Sequence, residues 1–329
     1  MSTFHPQMAA AIEKFQELGR ALGKPQSLAD ARRVALEQRR WFNADPPDLA
    51  RVEDRFIPGP YRAIPVRLYL PHGAAKRPPV IVYCHGGGWF SCSNDTHDRI
   101  MRLLAIAARA AVIGVDYCLA PEHKFPKPVD EAATALAWAA EAAADWGLDP
   151  ARLAFAGCSA GANLALGAAL SLPPAVLARF HAGALFYGAY DPDLASESCR
   201  RFGAEGAWLS AKEMAWCWKN YLAREEDRAD PRAAPLRAGD GALASLPPLY
   251  LCAAGSDALR DDTVRLAERL DGAGAPHVLS VREGLGHSFL GFARMVDEAG
   301  RVLQDAADFI GAAWASADAA PATKQKVSA

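Results

Sequence analysis

Apolar positions fall into two rhythms along this chain. Met8, Ile12, Phe15, Leu18 and Leu22 recur at steps of three or four, which predicts one face of a helix over residues 8–22. Pro25 interrupts that pattern, and Ser27 can cap a second helix, expected to run to about Arg40. Between 51 and 70 the period changes. Val52, Phe56, Ile64, Val66, Leu68 and Leu70 sit in alternating or β-branched surroundings broken by Pro58-Gly59-Pro60, the pattern of a hairpin. Short apolar runs then alternate with helical ones. Strands are predicted at Val80–Tyr83, Ala111–Val115, Arg152–Ala156, 182–187, 248–253 and 278–281. Helices are predicted over about 97–109, 129–145, 162–170, 260–271 and 293–314. Such alternation implies an α/β fold with a mostly parallel central sheet and helices on both faces.

Two stretches break the rhythm. Residues 191–236 carry Trp208, Met214, Trp216, Trp218 and Tyr221 and then the charged run Arg224-Glu225-Glu226-Asp227-Arg228, which reads as an inserted helical cap. Packing of the cap onto the body accounts for any one of these rings, and some of them are candidates for the mouth of a pocket. Residues 315–329 are small, polar and unpatterned, so a disordered tail is expected there.

Composition narrows the class without naming the chemistry. The 329 residues are 51% hydrophobic and 22% charged, enough for a large globular core. A net charge of -2 offers no basic surface for nucleic acid or anionic membrane. The seven cysteines are scattered with no Cys-x-x-Cys pair, which gives no zinc spacing and suits buried free thiols in a reducing cytoplasm. No apolar leader or membrane-length run is present, so a cytoplasmic protein without metal or cofactor is the expectation.

The candidate chemistry centres on Gly157-Cys158-Ser159-Ala160-Gly161, between a strand and a helix. A serine flanked by glycines at such a junction can be lifted clear of the sheet by a turn too sharp for side chains at the flanking positions. The helix after it places its positive end at the hydroxyl. His85-Gly86-Gly87-Gly88-Trp89 follows another strand, and its glycines let backbone N–H groups approach a ligand. Its spacing matches neither a dinucleotide loop nor a P-loop. Asp257 follows the strand Leu249–Ala254, where α/β folds place functional groups, although capping of the next helix is the plainer role. His287 lies in the loop Gly284–Phe289. Each signal alone is weak, but the chain order Ser159, Asp257, His287 is the order that a strand–turn–helix serine hydrolase requires.

Taken together these residues resemble the hormone-sensitive-lipase-like branch of α/β-hydrolase esterases, the bacterial family IV. The resemblance rests on His85–Trp89, Asp116-Tyr117-Cys118-Leu119-Ala120-Pro121-Glu122-His123, Gly157–Ala165, Gly255–Asp262 and Gly286-His287. It implies an α/β-hydrolase fold: an N-terminal helical cap segment at 1–50 and a body at 51–314 carrying the cap insertion. It implies Ser159 as nucleophile, His287 as general base and Asp257 as its orienting carboxylate, with the backbone N–H groups of Gly87, Gly88 and Ala160 as oxyanion hole. Gly86 and His85 would shape the loop, and Trp89, Phe90 and Tyr190 would border the substrate pocket. Two positions depart from the family. Cys158 stands where Asp or Thr usually precedes the nucleophile, and Cys118 stands where Arg is usual. The expected activity is hydrolysis of short- to medium-chain acyl esters. The alternatives are an amidase, formamidase or lactonase, or a non-catalytic receptor like the plant members that lost the histidine. The partner expected is a small acyl ester, with homodimerisation open.

Overall fold

A computed structural model of the protein describes residues 4–319. Helices α1 (Pro6–Leu22) and α2 (Leu28–Asn43) come first. Ser27 caps α2 by accepting the Asp30 N–H at 3.1 Å. The hairpin comes next as β1 (Arg51–Ile57) and β2 (Ile64–Leu70), paired antiparallel. Then come β3 (Val80–Cys84), α3 (Asp98–Ala108), β4 (Ala111–Val115), α4 (Lys127–Ala142), β5 (Leu153–Cys158) and α5 (Ala160–Ser171). After α6 (Pro174–Leu177) and β6 (Phe180–Phe186), the long connection carries α7 (Glu197–Phe202), α8 (Ala211–Tyr221) and α9 (Asp240–Ala244). The chain closes with β7 (Leu249–Ala254), α10 (Arg260–Ala273), β8 (His277–Arg282) and α11 (Asp297–Ala319).

The eight strands form one sheet in the order β1-β2-β4-β3-β5-β6-β7-β8. Only β2 runs against its neighbours on both sides; from β4 through β8 every pairing is parallel. Alternate residues of the central strands feed two cores. Val80, Val82, Leu153 and Phe155 pack on one face, while Ile81, Tyr83, Ala154 and Ala156 pack on the other. Burial on both faces is why these strands read as unbroken apolar runs rather than as alternation.

The expected tail needs correction. Helix α11 continues to Ala319, five residues into the stretch 315–329, with Trp314 buried against the sheet. Residues 320–329 lie outside the described residues.

The insertion is tied to the body by a buried carboxylate. One oxygen of Asp262, in the first turn of α10, accepts the N–H groups of Tyr190 at 2.7 Å and Asp191 at 3.1 Å, where the chain leaves β6 for the cap. Complete burial outweighs those two bonds, and the neighbouring Asp191 adds to it, so the Asp262 pKa rises to about 7. The folded state therefore holds a proton that an unfolded aspartate releases near its ordinary 3.8, and stability from this group falls as pH rises towards 7. Asp262→Asn keeps an oxygen for both N–H groups and removes the buried charge. It is expected to raise the melting temperature at pH 8 and to leave it near wild type at pH 4. Equal shifts at both pH values in differential scanning calorimetry would contradict this account.

Candidate active site

Ser159 occupies the turn between β5 and α5 with φ 54° and ψ −126°, a strained conformation for a residue with a side chain. The flanking glycines are required by contact. A Cβ on Gly161 would lie 2.1 Å from the Cys84 carbonyl oxygen, and one on Gly157 would lie 2.4 Å from the Gly161 oxygen. Pressed together in this way, the end of β3 and the start of α5 put the glycine loop beside the serine.

His287 reaches the serine from the loop after β8. Its Nε2 lies 2.8 Å from Ser159 Oγ, and its Nδ1 lies 2.7 Å from Asp257 Oδ2. A carboxylate only accepts, so Nδ1 carries the proton and Nε2 is left to accept from the hydroxyl. All three side chains are buried. The other oxygen of Asp257 accepts the Leu259 N–H at 3.1 Å in the turn ahead of α10, and among the described residues no side chain caps that helix, so the plainer capping role is not the one Asp257 takes.

The glycine loop presents bare donors. Gly87 has φ 127° and Gly88 φ 59°, and a Cβ at Gly87 would fall 2.1 Å from the Ser91 oxygen. Among the described residues no acceptor takes the N–H of Gly87 or Gly88. The Ala160 N–H, at the first position of α5, has no acceptor within its own helix. Gly87, Gly88, Ser159 and His287 line one cavity of about 470 Å³. Its apolar wall comes from Phe90, Leu209, Met214, Trp216 and Cys217, with Trp208 at the junction to a second cavity of about 240 Å³ that reaches Asp257 and His287 from the other side.

Of the three expected pocket residues, Phe90 alone lines the cavity. Trp89 is fully buried behind the loop, stacked on Tyr221 with ring centroids 4.5 Å apart and donating Nε1–H to Asn163 Oδ1 at 3.3 Å. Tyr190 is fully buried in the core beneath the cap, where its backbone meets Asp262. Both are corrections, each with its own cause. Trp89, at φ 62° in the tight loop, turns away from Phe90 onto Trp218 and Tyr221. The Tyr190 backbone is held on the buried Asp262, which keeps its ring in the core. The cap stripe divides likewise. Trp208, Met214 and Trp216 face the cavity, while Trp218 and Tyr221 pack on Trp89.

Trp208 does more than line the wall. Its indole N–H donates to the His287 carbonyl at 2.7 Å, and its ring meets Phe15 of α1 edge-on at 5.5 Å. Arg32 of α2 donates to the Phe90 carbonyl at 2.7 Å, so the N-terminal helices hold the glycine loop as well. Periodicity places Phe15 on its helix but carries no sign of those long-range bonds, and Trp208 lies in the bend between α7 and α8.

The two unusual cysteines also have places. Cys158 lies under the glycine loop, where a Cβ on Gly86 would sit 3.2 Å from its sulfur, and burial pushes its thiol up to about 11. A protonated thiol on the far side of the elbow is no nucleophile at neutral pH. Cys118 donates its N–H to the buried Glu131 at 2.8 Å, and Glu131 takes its cation from Arg62 at 2.9 Å.

The chain matches the α/β-hydrolase fold over residues 81–291. It belongs to that family. Within it the chain falls in the hormone-sensitive-lipase-like branch. It is 35% identical to an acetyl esterase of Salmonella schwarzengrund over 282 residues, which span 84% of this chain and 85% of that protein. A thermophilic, thermostable carboxylesterase cloned from a metagenomic library superposes with TM-score 0.83 at 35% identity, over 88% of this chain and 98% of that one. A hyperthermophilic esterase from the archaeon Pyrobaculum calidifontis superposes with TM-score 0.85 at 31% identity, over 95% and 99%.

The thiol environments can be checked directly. Cys92 is half-buried and the other six cysteines are buried. Native protein at pH 8 is therefore expected to give at most one fast-reacting thiol with Ellman's reagent, lost in Cys92→Ser, with Cys158 reacting only on unfolding. Rapid modification of Cys158 in the native protein would contradict its assigned surroundings.

Proposed function

We propose that this esterase-family chain hydrolyses short- to medium-chain acyl esters through an acyl-enzyme on Ser159. The observation that carries the reading is the unbroken relay Ser159–His287–Asp257, with hydrogen bonds of 2.8 and 2.7 Å at the wall of the cavity. Ser159 Oγ attacks the ester carbonyl as His287 Nε2 takes its proton. The oxygen of the tetrahedral intermediate is received by the N–H groups of Gly87, Gly88 and Ala160, donors already aimed before substrate arrives. The imidazolium, stabilised by Asp257, returns its proton to the leaving alcohol. Water then attacks the acyl-serine with His287 again as base, the acid departs and Ser159 regains its proton.

Substrate size is argued from the cavity. About 470 Å³ walled by Phe90, Leu209, Met214 and Trp216 takes an acyl group of modest length beside the alcohol. The naming of relatives as acetyl esterase and carboxylesterase supports the same class of bond. A non-catalytic receptor is disfavoured because His287 is present and bonded to Ser159.

Two further parts of the reading concern setting and assembly. Seven free thiols support a reducing, cytoplasmic compartment. Edge strand β8 leaves Val278, Leu279 and Val281 exposed, and a second copy pairing there would cover them.

Hydrolysis of p-nitrophenyl esters from acetate to decanoate tests the activity. Turnover is expected to be highest among the short and medium chains and to fall roughly 10⁴-fold or more in Ser159→Ala. Equal rates in the two proteins would defeat the proposal, and a clear preference for amides or lactones would reassign the substrate.

A further inference from the structure

The three peptide groups of the glycine loop are held by hydrogen bonds, the first at both ends and the next two at the carbonyl. The His85 carbonyl accepts the Tyr117 hydroxyl at 2.7 Å, and the N–H of the same peptide, on Gly86, donates to His97 Nε2 at 3.2 Å. The Gly86 carbonyl lies 2.8 Å from His85 Nδ1. The Gly87 carbonyl accepts the N–H groups of Phe90 at 3.2 Å and Ser91 at 3.0 Å. In a trans peptide the N–H points opposite to the carbonyl. Fixing the Gly86 and Gly87 carbonyls on one side therefore aims the Gly87 and Gly88 N–H groups to the other. Gly86 links the two ends of this arrangement: its carbonyl is held by His85, and its N–H, which also faces the Cys158 sulfur, donates to His97 Nε2.

His97 is fitted to accept. It stands at the N-terminus of α3, away from the Ser159 relay, and its ring is buried. Its Nδ1 lies 2.8 Å from Thr96 Oγ1. That hydroxyl donates to the Ser93 carbonyl at 2.8 Å and also receives the Ser93 N–H at 2.9 Å. With its proton committed, Thr96 Oγ1 can only accept from the ring, so His97 carries hydrogen on Nδ1 and a lone pair on Nε2. Burial, with His85 and the Arg39 guanidinium nearby, holds its pKa well below the ordinary histidine value and keeps it in this neutral form.

We infer that His97 is a positioning residue for the reaction: by accepting the Gly86 N–H it holds the loop in the orientation that leaves the Gly87 and Gly88 N–H groups free for the oxyanion. Nothing in the motif His85–Trp89 itself supplies that acceptor; it comes from the start of the next helix. This inference rests on the esterase reading above, and it adds a residue that touches neither substrate nor the relay.

The test compares His97→Leu, which removes the acceptor, with His97→Gln, whose amide oxygen extends about as far from the backbone as Nε2. Steady-state hydrolysis of p-nitrophenyl acetate and affinity for a trifluoromethyl ketone analogue of the tetrahedral intermediate are measured for each, with melting temperatures alongside. His97→Leu is expected to lose roughly 10- to 100-fold in kcat and a similar factor in analogue affinity, less than the roughly 10²–10³ for an oxyanion donor itself. KM should stay within about threefold, and His97→Gln should recover most of the loss. If His97→Leu does not fold, His97→Asn replaces it, since its shorter amide reaches Thr96 and not Gly86. Wild-type kcat in the acceptor-less variant, or equal loss in it and His97→Gln at unchanged melting temperature, would overturn the inference. Absence of hydrolysis by the wild-type protein would instead defeat the esterase reading and leave this one without a reaction to serve.

Discussion

The contact on which the site depends is between backbones: the first turn of α5 against the end of β3. Gly161 meets the carbonyls of Cys84 and His85 so closely that no side chain fits between them. This closeness does two things at once. It forces Ser159 into its strained turn, and it brings the loop after β3 within reach of the serine hydroxyl. A looser junction could keep the sheet and still carry the Ser159 hydroxyl away from the glycine loop.

The remaining parts arrive from distant segments and are held by the caps. Phe4 and Met8 crowd Gly286 from the N-terminal side, and the indole of Trp208 binds the His287 carbonyl from the insertion. Phe15 and Phe292 close around the same indole. Arg32 secures Phe90 at the other side of the cavity. The histidine loop and the glycine loop are thus fixed by residues outside the sheet.

Much of this is legible in the order of residues. Strands buried on both faces announce themselves as apolar runs, and glycines at 86–88, 157 and 161 mark where backbone must approach backbone. Ser159, Asp257 and His287 can be picked out because each follows a strand. The pocket is less legible. Trp89 and Tyr190 are aromatic and adjacent to site loops, yet both point into the core, since a side chain's direction in a tight turn depends on φ and ψ that neighbouring elements impose. The end of α11 escapes the pattern for a related reason: alanine-rich, polar residues after Trp314 have helix propensity without an apolar stripe to signal it.

By itself the sequence determined the sheet-and-helix alternation, the elbow serine, its order with Asp257 and His287, and the exclusion of a phosphate-binding loop, because each of these depends on local pattern and spacing. Tertiary structure alone decided which aromatic rings face the cavity and how His97 and Tyr117 hold the glycine loop. These depend on contacts between residues from eleven to more than a hundred positions apart, whose energies arise only when the chain has closed on itself.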